Sequence, residues 1–227
     1  MERIMRIGIV GAGRIGGNAG KLFARAGHEV YFSGSREPDR LEQLAVETSG
    51  RSGSPREAVE FGEVVFFSVP WPAVNELLAQ TGSLAGKIVI DTTNQFVTGE
   101  PEGGVEQLPK TAGETNQERM PGARLVKTFN TLGADSLPEA AARGAAMFLA
   151  GEDAAAKEAV AGLIRDVGFT PVDLGGWAEE PIMEVGGAVS GLEYSGGDGL
   201  RIAAALSSGG PDEAARLARE LRARPAA

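Results

Sequence analysis

Gly11-Ala12-Gly13-Arg14-Ile15-Gly16 has the spacing G-x-G-x-x-G, directly after the apolar run Ile4 to Val10 and at the head of a segment with helical spacing. A strand, a glycine turn and a helix in that order form an anion site. Gly11 permits the tight turn, Gly13 leaves room for a pyrophosphate, and Gly16 lets the helix pack on the strand. The first N–H groups of the helix, with its dipole, then hold the phosphates. The competing reading is a plain strand–helix turn, which the flanking elements argue against.

The end of the next apolar run selects the dinucleotide. A site for NAD places Asp or Glu there, to hold the ribose hydroxyls. This chain has Ser33-Gly34-Ser35-Arg36 instead, and its first acids, Glu37 and Asp39, come after the arginine. Arg36 can bind a 2′-phosphate bidentately, Ser35 can donate a hydrogen bond, and Arg40 can add charge from the following helix. NADP(H) is therefore the expected cofactor, against the alternative that these arginines only begin a solvated helix.

Ligands of a doubly wound sheet sit at the carboxyl ends of its strands. Three further ends should meet there: Ser68 to Trp71, Thr92 to Asn94, and Asn130 to Leu132. Val69, Pro70 and Asn94 are expected on the cofactor side. Trp71, Asn130, Thr131 and Leu132 are expected on the side of a second substrate. Trp71 can equally be a rim packing residue, and Asn130 a turn residue. His28 follows Gly27 at a turn and is given no chemistry, and Lys127 is expected on the flank of a strand, with a buried catalytic lysine as the alternative.

The elements that position these groups alternate. Strands are expected at 4–10, 29–33, 63–69, 87–91, 124–129, 145–150 and 170–173. Helices are expected at 14–27, 39–46, after Ser54, at 72–79, after Thr111, after Ser136, at 154–167 and at 212–222. This is an α/β chain: a doubly wound, mostly parallel Rossmann-type sheet with helices on both faces and a small C-terminal extension. Residues 1–175 are expected to form the NADP(H)-binding domain. Residues 176–227 are expected to form a helical and loop extension that closes the cleft or makes a homodimer contact. Residues 186–200 are rich in glycine and show no clear period.

Composition removes several classes. The chain of 227 residues has no cysteine and one histidine, so thiolate metal sites, thiol nucleophiles, multi-His metal sites and a Ser-His-Asp triad are excluded. No metal site is expected. A net charge of −9 without a basic cluster argues against nucleic acid. No run of about 18 apolar residues suggests a membrane span. The N-terminus runs straight into a strand and does not read as a signal peptide, so a cytoplasmic protein is expected.

The segments MRIGIVGAGRIGG, GHEVYFSGSR, VVFFSVPW, RLVKTFNTLGA and GEDAAAKEAVAGLIRDVGFTPVDLG together resemble the NADPH-dependent reductases of the deazaflavin coenzyme F(420), over residues 5 to about 185. The resemblance implies that the pyrophosphate lies on Ala12, Gly13, Arg14 and Ile15, and the 2′-phosphate on Ser35, Arg36 and Arg40. It implies a nicotinamide facing the deazaflavin near the VPW and FNT strand ends, with direct hydride transfer. Such a step needs orientation more than acid–base help. Some members carry a histidine in the segment matching KTFNT, and this chain has none. An NADPH-dependent reductase of another small-molecule acceptor (a flavin, an imine or a metal chelate) and a non-catalytic NADP(H) sensor remain as alternatives. A structural module with a dead site is argued against by the intact glycines.

Overall fold

The computed structural model describes residues 3–35 and 37–223. Arg36, the expected 2′-phosphate ligand, lies outside the described residues. One sheet of eight strands organises the molecule: β1 (Arg6–Val10), β2 (Glu29–Ser33), β3 (Arg51–Gly53), β4 (Val64–Phe67), β5 (Ile88–Asp91), β6 (Arg124–Thr128), β7 (Ala146–Ala150) and β8 (Thr170–Gly175), in the order β3-β2-β1-β4-β5-β6-β7-β8. All neighbours are parallel except β6 and β7. The chain winds outward from β1 to β3, then returns to β4 and winds the other way. The reversal between β1 and β4 is the switch point at which such sheets bind ligands.

The central strands are apolar on both sides because helices cover both faces. Ile9, Phe66, Ile90 and Val126 face α1 (Arg14–Arg25), α6 (Leu137–Ala142) and α7 (Ala154–Asp166). Val10, Val65, Phe67, Val89 and Leu125 face α3 (Pro55–Phe61), α4 (Val74–Thr81) and α5 (Ala112–Arg119). The short helices α3 and α5 start at reciprocal capping boxes, Ser54 with Glu57 and Thr111 with Glu114. α2 (Pro38–Thr48) closes the β2 side, beside β3.

Two elements differ from the sequence expectation. β3 has only three residues, Arg-Ser-Gly, too short and polar to show a period, and pairing with Tyr31–Ser33 makes it a strand. The glycine-rich stretch is helical from Gly196: α8 (Gly196–Arg222) has two arms that meet at Gly210, whose φ of 77° leaves the helical region. Two glycines of its first arm, Gly196 and Gly199, press on the sheet. A side chain at Gly199 would begin 2.5 Å from Ala146 Cβ. The start signal was present in Ser195-Gly-Gly-Asp198, where Ser195 accepts from the Asp198 amide.

Candidate functional site

The glycine turn is held by backbone. The amides of Gly11 and Ala12 both donate to the Ser33 carbonyl, at 3.0 and 2.9 Å, which fastens the turn to the end of β2. Gly11 has φ +96°, and a Cβ there would lie 2.0 Å from the Ser68 carbonyl oxygen. A Cβ on Gly16 would lie 2.1 Å from the Gly11 carbonyl oxygen, so only glycine lets α1 begin this close to the turn. At Gly13 a Cβ would meet nothing within 4 Å. The face that should receive a pyrophosphate is therefore open.

α1 starts with no side-chain cap and no acid in its first turn. The amides of Arg14, Ile15 and Gly16 precede the first intrahelical bond, from Gly17 to the Gly13 carbonyl, and point out of the helix end. An uncapped, acid-free N-terminus beside an open glycine is a fitting cradle for phosphate. The Arg14 side chain turns away to pair with Asp135.

Arg40 reaches back from α2 to the turn. Its Nε donates to the Ala12 carbonyl at 3.1 Å and one terminal nitrogen to the Gly13 carbonyl at 3.2 Å. The guanidinium thus fixes the turn and sets a positive charge at its rim. Ser35 is half-buried on the other side of that rim, and its hydroxyl oxygen accepts the Glu37 amide. The hydroxyl proton is left for an anion.

The ends of β4, β5 and β6 follow along the same edge. Val69 is buried and Pro70 exposed. Trp71 is 4% exposed, with its indole N–H on the Glu106 carboxylate and the Arg119 guanidinium 4.3 Å from the ring centroid. It pins the 94–110 loop rather than standing free. After β6 the backbone bends sharply at Phe129, fully buried with φ +59°. A bulky residue in the left-handed region is strained and persists only where packing over-determines it. Phe23, Phe66 and Phe169 do this, each edge-on to Phe129 with centroids 5.4 to 6.2 Å away.

That bend places Asn130 against Asn94. Asn94 Nδ2 donates to the Asn130 carbonyl at 3.0 Å, and Asn130 Nδ2 donates to Asn94 Oδ1 at 3.3 Å and to the Met183 carbonyl at 2.9 Å. Asn130 is 5% exposed, yet its Oδ1 has no donor among the described residues. Thr131 and Leu132 are buried beside it, the Thr131 carbonyl accepting the Gly191 amide at 2.9 Å.

Behind β5 and β6 lies a group of residues that sequence reasoning missed. Lys127 is fully buried, not on a flank. Its ammonium donates to the Thr93 carbonyl and to Asp91 Oδ2 at 3.3 Å, and lies 3.9 Å from Glu180 Oε1. Asp91 Oδ1 accepts the Thr93 amide at 2.9 Å, and Asn116 Nδ2 bridges Asp91 Oδ2 at 3.0 Å and Thr93 Oγ1 at 2.9 Å. Glu180 accepts the Thr111 hydroxyl and, at 2.8 Å, the Gly113 amide. Burial pushes its carboxyl up to about 7, against the opposing pull of Lys127 and the Thr111 hydrogen bond. No short-range signal could have found this cluster, because β5, β6, α5 and the segment after β8 each supply part of it. His28 lies at the opposite edge of the sheet, accepting the Met5 amide on Nδ1.

Among the described residues no three His, Cys, Asp or Glu side chains are grouped to hold a metal, and no helix is long and apolar enough to cross a membrane. The strand order, the glycine turn and the bare helix end define a Rossmann-type dinucleotide-binding protein. Residues 6–95 match the model of the family described as NADP oxidoreductase, coenzyme F420-dependent. That segment is similar to this family.

The metalloreductase STEAP3 of Rattus norvegicus is 29% identical over 174 residues, which is 76% of this chain and 34% of the relative. STEAP2 of Mus musculus is 26% identical over 179 residues, again 76% and 34% of the two chains. The chain thus spans about a third of the length of the curated relatives it matches. Among solved structures, a hypothetical protein of Sinorhizobium meliloti superposes with a TM-score of 0.74 at 29% identity, covering 85% of this chain and 96% of its own. A candidate F420-dependent NADP-reductase of Arthrobacter sp. FB24 gives 0.65 at 28% identity, with 77% and 86% covered. A reductive aminase of Aspergillus terreus gives 0.59 at 21% identity, covering 78% of this chain and 57% of its own, and shares the fold.

Proposed function

We propose that this protein binds NADP(H) along the edge from the glycine turn to Asn130 and exchanges a hydride with a small-molecule acceptor, a deazaflavin of the coenzyme F420 type being the first candidate. The observation that carries the reading is the bare, acid-free start of α1 behind the open face of Gly13. In this reading the amides of Arg14, Ile15 and Gly16 hold the pyrophosphate. The Ser35 hydroxyl, Arg40 and Arg36 hold the 2′-phosphate. The vacant Oδ1 of Asn130 accepts the carboxamide N–H of the nicotinamide, a donor that a buried amide oxygen otherwise lacks. When bound, the nicotinamide supplies or takes the hydride. The protein's task is orientation, and the chain needs no general acid for it.

A second reading, reduction of a metal chelate, is favoured by the similarity to the metalloreductases, which extends beyond the glycine turn over 76% of the chain. The deciding experiment follows NADPH oxidation by the purified protein with the oxidised deazaflavin, FMN, FAD and ferric chelates in parallel. Turnover with the deazaflavin alone supports the first reading, and turnover with ferric chelates alone replaces it with the second. Arg36→Asp should weaken NADPH binding more than NADH binding in fluorescence titrations. Equal effects on the two would remove the 2′-phosphate assignment.

A further inference from the structure

The segment of residues 176–195, between β8 and α8, is tied to the end of β6 at two points and to the start of α5 at two more. Met183 offers its carbonyl to Asn130, and Gly191 its amide to Thr131. Glu180 and Glu184 accept first-turn amides of α5, from Gly113 and Ala112. Trp177 is 8% exposed, and Gly113 leaves room for its ring: a Cβ there would lie 2.5 Å from it.

The charges in the buried space do not balance. One ammonium, Lys127, faces two fully buried carboxylates, Asp91 and Glu180, and lies nearer to Asp91. The other charged groups do not make up the difference. Glu184, from the same segment, is half-buried and adds negative charge. Glu114 is turned to the Thr111 amide. Arg119, at the far end of α5, is engaged by Asn116 and the Trp71 ring. Glu180 is thus the carboxylate left in excess, and an excess charge without water is costly unless it is neutralised by a proton.

We infer that Glu180 is a proton-linked positioning residue: its protonated form keeps segment 176–195 docked on α5, and the docked segment in turn fixes Asn130 and Thr131. The inference rests on the reading of those strand ends as the nicotinamide and acceptor site. The raised position of the Glu180 carboxyl gives the sign. In the undocked segment water restores an ordinary value near 4.5, whereas the docked carboxyl titrates at about 7. Docking takes up a proton between those two values. It is strongest below the window, weakens by up to about tenfold per pH unit as pH rises through it, and levels off above it. The acceptor site is held most firmly on the acid side of neutrality.

The test is amide hydrogen exchange of the whole protein without nucleotide, between about pH 5 and about pH 8, corrected for intrinsic exchange. Protection of the amides in 176–195, Gly191 included, should fall at least about tenfold over that range relative to amides of β1 and β2. In Glu180→Gln, which is neutral throughout, protection should stay high, while Glu184→Gln should retain the fall. Wild-type protection that is flat, or a parallel fall in Glu180→Gln, overturns the inference. Should the variant fail to fold, infrared spectroscopy of the wild type serves instead: a buried protonated carboxyl band must bleach through neutral pH, and its absence on the acid side overturns the inference. Neither readout uses NADPH, so the latch and the nucleotide assignment can fail separately.

Discussion

The glycine turn and the Lys127 cluster share one edge of one sheet and are built on opposite principles. The turn gathers positive potential from backbone amides, with the charge of Arg40 at its rim, and leaves its central face open. The cluster places formal charges where water does not reach and satisfies them with one another, with Asn116 and with the first amides of α5. The first design binds a charged ligand by having no side chain where the ligand goes. The second spends its charges internally and holds the wall of the site in place. An open anion cradle should contribute to binding and little to stability; a buried ion cluster should do the reverse.

That contrast breaks most readily at Lys127. Lys127→Met leaves Asp91 buried without its cation and takes from Glu180 its nearest positive charge, and unfolding in urea should show a loss of about 3–5 kcal/mol. Adding Asp91→Asn and Glu180→Gln to it should recover much of the loss, since removing every charge is cheaper than removing one. A loss under about 1 kcal/mol in the single variant would mean the cluster carries no such burden. The next effect should come from Gly16→Ala, whose methyl group collides with the Gly11 carbonyl: about 1–3 kcal/mol of stability, with nucleotide binding weakened at the same time. The smallest effect on stability, and the sharpest form of the contrast, is expected from Gly13→Ala. Its methyl group enters open space, so stability should stay within about 0.5 kcal/mol while NADPH binding weakens about tenfold or more. A variant that binds NADPH normally would show that the pyrophosphate lies elsewhere.

The same difference decides what could be read in advance. The turn is local: six consecutive residues, their spacing and the flanking apolar runs suffice, and the order of elements gave the doubly wound sheet. Lys127 meets Thr93, Asp91 and Glu180 across separations of tens of residues, and its neighbours in the sequence are those of any buried strand. The orphaned Oδ1 of Asn130 depends on the left-handed backbone at Phe129, which the sequence does not favour and three packed rings enforce. The first arm of α8 was hidden for a further reason. Its glycines lower helix propensity, yet Gly199 is required where the arm meets Ala146 of β7, and packing overrides propensity there.

The seclusion of Lys127 gives the molecule a built-in reporter of its own opening. Lys21 and Lys110 keep about 33% and 49% of their side chains in solvent and will react with amine-modifying reagents at once, whereas Lys127 keeps none. Its acylation must wait until α5 or segment 176–195 parts from β6, and the adduct would prevent reclosure. The rate at which mass accumulates on that one amine therefore counts how often the wall of the site comes away.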